Sequence, residues 1–313
     1  MCIVTPGPGS GEWANRAALC GRGRIDCLIR KLASIDADIA FVGGINLIDD
    51  IETPQPALAR YDYAVRIGGP LAGRVRAAAV RLWTRVSWAT LGHRWPGFAL
   101  LRGEARQAPA QPPESHVAAG GQRAALVVRD GLRHRHDIED GYLETINAAR
   151  TEVILANAYF FPSRKFRRAL LAAARRGVAV RLLLQGKSGH PLQHHAARAL
   201  YRSLLGAGIR IHEYYLSELH AKVAVVDGRV ATVGSSNVDP FSLALAREAN
   251  VFVDNLEFSA ELRASLHETI ENRARAVPRN YWARLSFALK TRIWLSYRIT
   301  RLLMAIYGVN DLR

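Results

Sequence analysis

Cysteine, acidic residues and long apolar runs are all scarce in this chain of 313 residues. The three cysteines, Cys2, Cys20 and Cys27, are odd in number, crowd the start and lack metal-ligand spacing. They supply no disulfide framework and fit a reducing compartment. There is no uninterrupted apolar run of about 18 residues, the length a bilayer-spanning helix needs. The start shows no basic stretch leading into an apolar one, so no signal peptide is expected. Asp and Glu number 27 against 43 Lys and Arg, a formal charge of +16. That excess points to a polyanionic partner, a membrane carrying acidic lipid or a nucleic acid. Hydrophobic residues at 49% still provide for one or two packed cores.

The acid shortage is concentrated in two places. Between Asp62 and Glu104 no carboxylate occurs, while Arg66, Arg74, Arg76, Arg81, Arg85, Arg94 and Arg102 gather among Trp83, Trp88 and Trp95. From Arg273 to Arg301 there are eight basic residues and no acidic one, interleaved with Tyr281, Trp282, Phe287, Trp294 and Tyr297. Cations, tryptophan and aliphatics at helical spacing suit a helix lying in a headgroup layer, and residues 276–313 are read as a basic amphipathic C-terminal helix. A helix packed on the domain is compatible with the same pattern.

What the chain does contain is a repeated phrase. Residues 220–237 read His220-Ala221-Lys222, four residues, Asp227, then Gly234-Ser235-Ser236-Asn237. Residues 29–46 align with them without a gap, matching at Lys31/Lys222, Ala33/Ala224, Asp36/Asp227, Ala40/Ala231, Val42/Val233, Gly43/Gly234 and Asn46/Asn237. The histidine position differs, because Ile29 stands where His220 would. Alternation from Leu219 to Val226 puts His220 and Lys222 on one strand face. Asp227-Gly228 is a tight-hairpin signal that returns Asn237 beside that strand. Imidazole can be nucleophile or proton carrier near neutral pH, and an ammonium and an amide can hold phosphoryl oxygens. A plain edge hairpin with solvated His and Lys is the duller reading, and the repeat and the Gly-x-x-Asn phrase outweigh it.

His220-x-Lys222-x4-Asp227 with Gly234-x-x-Asn237 resembles the HKD motif of the phospholipase D superfamily. Phe41-Val42-Gly43-Gly44-Ile45-Asn46, Arg60-Tyr61-Asp62-Tyr63-Ala64-Val65, Ala158-Tyr159-Phe160-Phe161-Pro162 and Arg247-Glu248-Ala249-Asn250 resemble its bacterial cardiolipin synthase branch. The resemblance implies a mixed α/β fold of two pseudo-symmetric halves, each donating one motif to a shared site. One histidine forms a phosphohistidine and the other protonates the leaving group, without metal or other cofactor. It places His220, Lys222, Asp227, Asn237 and Glu248 in the catalytic set, with Lys31, Asp36, Asn46 and Asp62 as their degenerate counterparts. Lys31, Lys222 and Ser235 are the candidate substrate contacts. An acid of the Glu248 kind contacts the other half's histidine, so Asp62 should approach His220 and Glu248 should approach Ile29.

The coarse pattern after residue 122 alternates strands and helices, which implies a sheet covered on both faces. Residues 123–275 read as a complete second half and 103–122, rich in Pro and Gly, as a linker. Residues 1–102 read as an incomplete first half: only 28 residues precede Ile29, and residues 1–27 read as irregular. His134, His136, His190, His194, His195 and His212 are expected on solvated surface.

The function expected is phosphatidyl transfer of cardiolipin synthase type, impaired by Ile29. It would be peripheral to the cytoplasmic face of the inner membrane, with a phospholipid substrate and a homodimer as one route round the missing histidine. A phosphodiesterase or nuclease of the same superfamily, and a catalytically inactive membrane-binding remnant, are the alternatives; the aromatic, basic tail favours lipid over nucleic acid.

Overall fold

A computed structural model describes residues 2–4, 31–35, 38–46, 60–89, 121–129, 134–187, 190–239 and 246–306. The strands are β1 (Cys2–Val4), β2 (Lys31–Ile35), β3 (Ile39–Gly43), β4 (Ala64–Gly68), β5 (Arg123–Arg129), β6 (Glu152–Asn157), β7 (Ala179–Gln185), β8 (Arg210–Tyr214), β9 (Lys222–Val226), β10 (Val230–Gly234), β11 (Glu248–Asp254) and β12 (Ala274–Ala276). The helices are α1 (Pro70–Ala89), α2 (Asp137–Ala148), α3 (Arg164–Arg175), α4 (Pro191–Arg198), α5 (Tyr201–Gly206), α6 (Leu256–Asn272), α7 (Tyr281–Arg284) and α8 (Phe287–Ile306). The strands form a four-stranded sheet in the order β1-β4-β3-β2 and an eight-stranded one in the order β12-β8-β7-β6-β9-β10-β11-β5. Only β6, β7 and β8 run parallel; every other pair is antiparallel.

The two hairpins are built alike. Lys31 lies opposite Gly43 in β2–β3, and the β9–β10 register puts Val223 opposite Val233, one step from Lys222 and Gly234. Gly43 pairs with Ala64 and Gly234 with Asn250, so Asp62 and Glu248 occupy matching places, each two residues ahead of that partner. The likeness extends one strand further, since β1 flanks β4 as β5 flanks β11.

Packing fuses the halves. Phe258, Leu262, Leu266 and Ile270 of α6 share one core with Val42, Val65 and Ile67 of the small sheet and Val223, Val225, Ala231 and Val251 of the large one. α6 starts where the Asn255 side chain accepts from Phe258 N–H at 2.9 Å, an N-cap that satisfies one donor of the first turn. A second core lies on the other face of the large sheet, under α2, α3, α4 and α5. These apolar faces, rather than helix propensity, hold the layers together.

Two sequence readings are corrected. Cys2–Val4 is a strand, not irregular chain; three residues are too few to display a period of two. The C-terminal segment is β12 followed by α7 and α8, because Leu285 is extended (ψ 141°) and Ser286 then caps α8, its Oγ accepting from Leu289 N–H at 3.3 Å. Residues 103–120 of the linker, together with Ile29, Asp36, Arg94, Trp95 and Arg102, lie outside the described residues.

Candidate active site

β9 delivers the motif from the junction between the halves. Just before it, residues 60–63 run beside 218–220: Tyr61 N–H donates to Glu218 O and His220 N–H to Tyr61 O, both at 2.9 Å. Arg60 Nε meets Glu218 Oε2 at 2.9 Å, and Tyr61 stacks on Tyr214 with centroids 5.3 Å apart. These contacts fix the chain carrying Asp62 against the chain carrying His220. The result is one short bond across the halves, His220 Nδ1 to Asp62 Oδ2 at 2.6 Å.

That bond selects the tautomer. With Nδ1–H donated to a carboxylate that is buried, Nε2 is the ring nitrogen left to react. Burial first, then the neighbouring Lys222 ammonium, holds the His220 imidazole below its ordinary range, against the hydrogen bond and charge of Asp62 that lift it. Lys31 adds to the lowering, which places its ammonium within electrostatic reach of the ring. Gly44 makes the arrangement possible: a Cβ there would lie 2.3 Å from Asp62 Oδ1 and 2.5 Å from Oδ2.

Lys222 is 1% exposed, its Nζ donating to the carbonyl of His220. Burial brings its ammonium down to about 8, with Asp62 and Glu248 opposing and Lys31 reinforcing. Glu248 is fully buried and accepts from Ser235 Oγ, whose own oxygen accepts from Ala249 N–H at 3.1 Å. Burial raises Glu248 to about 7, although Ser235, Arg129, Lys31 and Lys222 all favour its charged form. Lys31, Asp62, His220, Lys222 and Glu248 therefore form one electrostatic unit. Ser235 faces Glu248 inside the protein and not a substrate surface.

Asn237 is half-buried with Oδ1 lacking a partner among the described residues, and Asn46 is half-buried just past β3. Asp227 is placed elsewhere. Asp227 and Gly228 take left-handed φ of 52° and 60°, closed by Arg229 N–H to Val226 O at 3.0 Å. The Asp227 carboxylate accepts from Arg150 N–H at 2.9 Å and from Thr151 N–H and Thr151 Oγ1 at 2.8 Å each. It lies seven residue steps from His220, about 23 Å along the extended chain. Its place is that of a turn clamp joining β9–β10 to β6.

Two residues at the site escaped sequence reasoning. Asn157 is fully buried, pairs in register with Lys222, and accepts from Val238 N–H at 3.2 Å, while its Nδ2 has no partner among the described residues. A polar residue closing an otherwise apolar strand was its only signal. Arg129 is buried at the end of β5, donating to Ala246 O at 3.2 and 3.0 Å, with Glu248 the first charge supporting it. Among the other histidines, burial lowers His194 to about 4 and also lowers His195 and His212, so these three are not on free surface.

Two hairpins in matching register, sharing one His–Asp pair and two lysines, are the architecture of a phospholipase D-like centre. Over most of its length the chain is similar to proteins of the phospholipase D superfamily. Residues 142–270 match the family described as "Cardiolipin synthase, PLD-like domain". Cardiolipin synthase B of Escherichia coli K12 is 37% identical over 279 residues, 89% of this chain and 64% of that protein. The probable cardiolipin synthase YwiE of Bacillus subtilis is 29% identical over 256 residues, 82% of this chain and 48% of that protein. The chain thus spans about 64% of the length of the Escherichia coli relative. A phosphatidylserine synthase from Haemophilus influenzae shares the fold, with a TM-score of 0.63 at 10% identity over 89% of this chain and 70% of that one.

Proposed function

We propose that this chain is a peripheral membrane phosphatidyltransferase of the cardiolipin synthase type, working through His220 and slowed by isoleucine at position 29. The observation that carries the reading is the His220–Asp62 bond of 2.6 Å formed across the two halves. It presents Nε2 beside the cationic pair Lys31 and Lys222. In this proposal Nε2 attacks phosphorus, a P–N bond forms, and the P–O bond to the leaving glycerol breaks. A hydroxyl of the acceptor then attacks phosphorus, giving its proton to water, and the P–N bond breaks to return the imidazole. Lys31, Lys222 and the Asn46 and Asn237 amides stabilise the charge building on the phosphoryl oxygens. The superfamily's second histidine would protonate the leaving alkoxide. Ile29 has no proton to give, so water must do it, or a second copy's His220 in a homodimer. No metal enters the scheme, and transfer is expected to survive chelators.

Membrane attachment through α8 supports the lipid reading over a nucleic-acid one. Among the described residues no helix is long and apolar enough to cross a bilayer. Phe287 and Trp294 are exposed on α8 among Lys290, Arg292, Arg298 and Arg301, with the Arg298 guanidinium 5.7 Å from the Trp294 ring. Such a helix suits the anionic cytoplasmic leaflet.

The test is transfer from phosphatidylglycerol by wild type, His220→Ala and Ile29→His, with single-stranded DNA as an alternative substrate. Expected are slow wild-type turnover, a further loss of about 10²–10⁴ for His220→Ala, and little gain for Ile29→His. Robust transfer indifferent to His220→Ala would overturn the site, and DNA cleavage without lipid transfer would overturn the substrate class.

A further inference from the structure

Asp62 and Glu248 hold matching places in the two halves, each two residues ahead of the strand partner of a motif glycine. Asp62 uses its place to reach across the junction, 2.6 Å from His220 Nδ1. By the same register Glu248 answers to position 29, where the sequence has isoleucine and no imidazole for it to orient. Its role must therefore differ from that of Asp62.

Glu248 sits in a cluster that gathers strand ends from both sheets. Lys31 begins β2, Lys222 begins β9, Glu248 begins β11 and Arg129 ends β5. Ser235, just past β10, donates Oγ–H to Glu248 Oε2, so the proton of the acid form resides on Oε1. The carboxyl is closed off to the same degree as the lysine that would hold the phosphoryl group, at 0% exposed against 1% for Lys222. Its side chain is one C–C bond longer than that of Asp62, about 1.5 Å of added reach. Burial favours the neutral acid, while Ser235, Arg129, Lys31 and Lys222 favour the carboxylate, and the balance falls at about 7. A group so poised can both give and take a proton near neutral pH.

We propose that Glu248 is the general acid and base of the transfer reaction, doing the proton work that isoleucine at position 29 cannot do. This rests on the reading of His220 as nucleophile. As Nε2 forms the P–N bond and the P–O bond breaks, the leaving glycerol oxygen takes the proton from Glu248 Oε1. The carboxylate that results is held by Lys31, Lys222, Arg129 and Ser235. As the acceptor hydroxyl attacks phosphorus and the P–N bond breaks, the carboxylate takes the acceptor's proton in place of water. Imidazole and carboxyl both return to their starting state.

The experiment compares two donors that differ in leaving group. Phosphatidylglycerol releases a glycerol that needs a proton, whereas phosphatidyl-p-nitrophenol releases a nitrophenolate that departs as an anion. Wild type, Glu248→Gln and Glu248→Asp are assayed on each in mixed phosphatidylglycerol–phosphatidylcholine vesicles from pH 5 to 9. Glu248→Gln keeps the shape and an acceptor for Ser235 but has no acidic proton. It should lose about 10²–10⁴ on phosphatidylglycerol and only a small part of that on the nitrophenyl ester, with Glu248→Asp in between. In wild type, phosphatidylglycerol transfer should fall as pH rises through about 7, where Glu248 gives up its proton. That limb should be absent with the nitrophenyl ester, and the limb at about 8 from Lys222 should appear with both. Equal losses on the two donors in Glu248→Gln would make the residue structural and overturn the proposal. A wild type that releases nitrophenol yet transfers nothing from phosphatidylglycerol would overturn it too, leaving His220 as nucleophile intact. Inactivity on both donors would instead sink the His220 reading beneath it. Where Glu248→Gln does not fold, the wild-type profiles decide, and a shared limb at about 7 on both donors refutes the acid.

Discussion

Gly44→Ala is the sharpest probe of the site, because it adds one methyl and replaces neither His220 nor Asp62. The new Cβ would lie 2.3 Å from Asp62 Oδ1, whereas ordinary contact begins near 3.4 Å. The carboxylate must therefore retreat by about 1 Å, which carries the 2.6 Å bond to His220 Nδ1 beyond hydrogen-bonding range. A hydrogen bond to a charged group contributes about 1.5–3 kcal/mol, and one pKa unit is about 1.4 kcal/mol. The His220 pKa, already lowered by burial and Lys222, should fall by about one to two units more. The linkage follows in sign. A histidine depressed in the folded state binds its proton more weakly than in the unfolded chain, so stability is lost as pH falls through the unfolded value near 6.5. Gly44→Ala should steepen that loss, beyond an overpacking cost of about 1–3 kcal/mol present at every pH. The assay is a long-range ¹H–¹⁵N NMR titration of the His220 ring beside urea melts at pH 5 to 8. Unchanged tautomer and midpoint in Gly44→Ala would refute the claim that Asp62 controls this imidazole.

Three further outcomes are expected. Lys222 is lowered to about 8 from 10.5, so the folded chain releases that proton first, and stability should rise between about pH 8 and 10.5 by up to about 3 kcal/mol; urea melts of Lys222→Met should lack this slope. Asp227→Ala should cost about 1–3 kcal/mol, by stranding the Arg150 and Thr151 donors, while leaving the His220 titration unmoved; a shifted titration would return Asp227 to the site. Leu295→Asp with Ile299→Asp, at positions 50% and 38% exposed, should weaken flotation on anionic vesicles, more at low than at high salt because salt screens the added repulsion, and equal binding would reject α8 as the attachment surface.

What the sequence disclosed and what it hid divide along physical lines. The β9–β10 hairpin was legible because Asp227-Gly228 turn chemistry and alternating apolar residues act within a few positions, and the β2–β3 hairpin because residues 29–46 repeat that phrase. The α/β order after residue 122 was legible for the same reason. The Asp62–His220 pair spans 158 residues, and no local pattern links them; only the family resemblance pointed there. Gly44 was invisible as a site residue, since its contribution is an absence of atoms under Asp62. Asn157 lay concealed at the end of an apolar strand, and β1 was too short to announce itself. The C-terminal pattern was read as one helix because amphipathic periodicity runs through Leu285, whose extended backbone divides α7 from α8.

The matching registers also locate what differs between the halves. In the second, β5 on one side of the sheet and β9 on the other are separated in sequence by β6, β7, β8 and four helices. In the first, β1 and β2 hold the equivalent sheet positions, yet only residues 5–30 lie between them. Twenty-six residues fall short of the segment from β6 to β8, which alone runs from Glu152 to Tyr214. The first half is therefore short between its outer strand and its motif hairpin, just where Ile29 replaces a histidine. In the second half that same intervening segment supplies Asn157 beside Lys222, and Ala158 and Gln185, which hold the residues on either side of His220. The first hairpin has no such buttress among the described residues; its support is the shared core with α6 and the 60–63 strand pressed on 218–220. Restoring only the histidine at position 29 would thus replace a reactive group without the strands that aim it, which is why little gain is expected from that change alone.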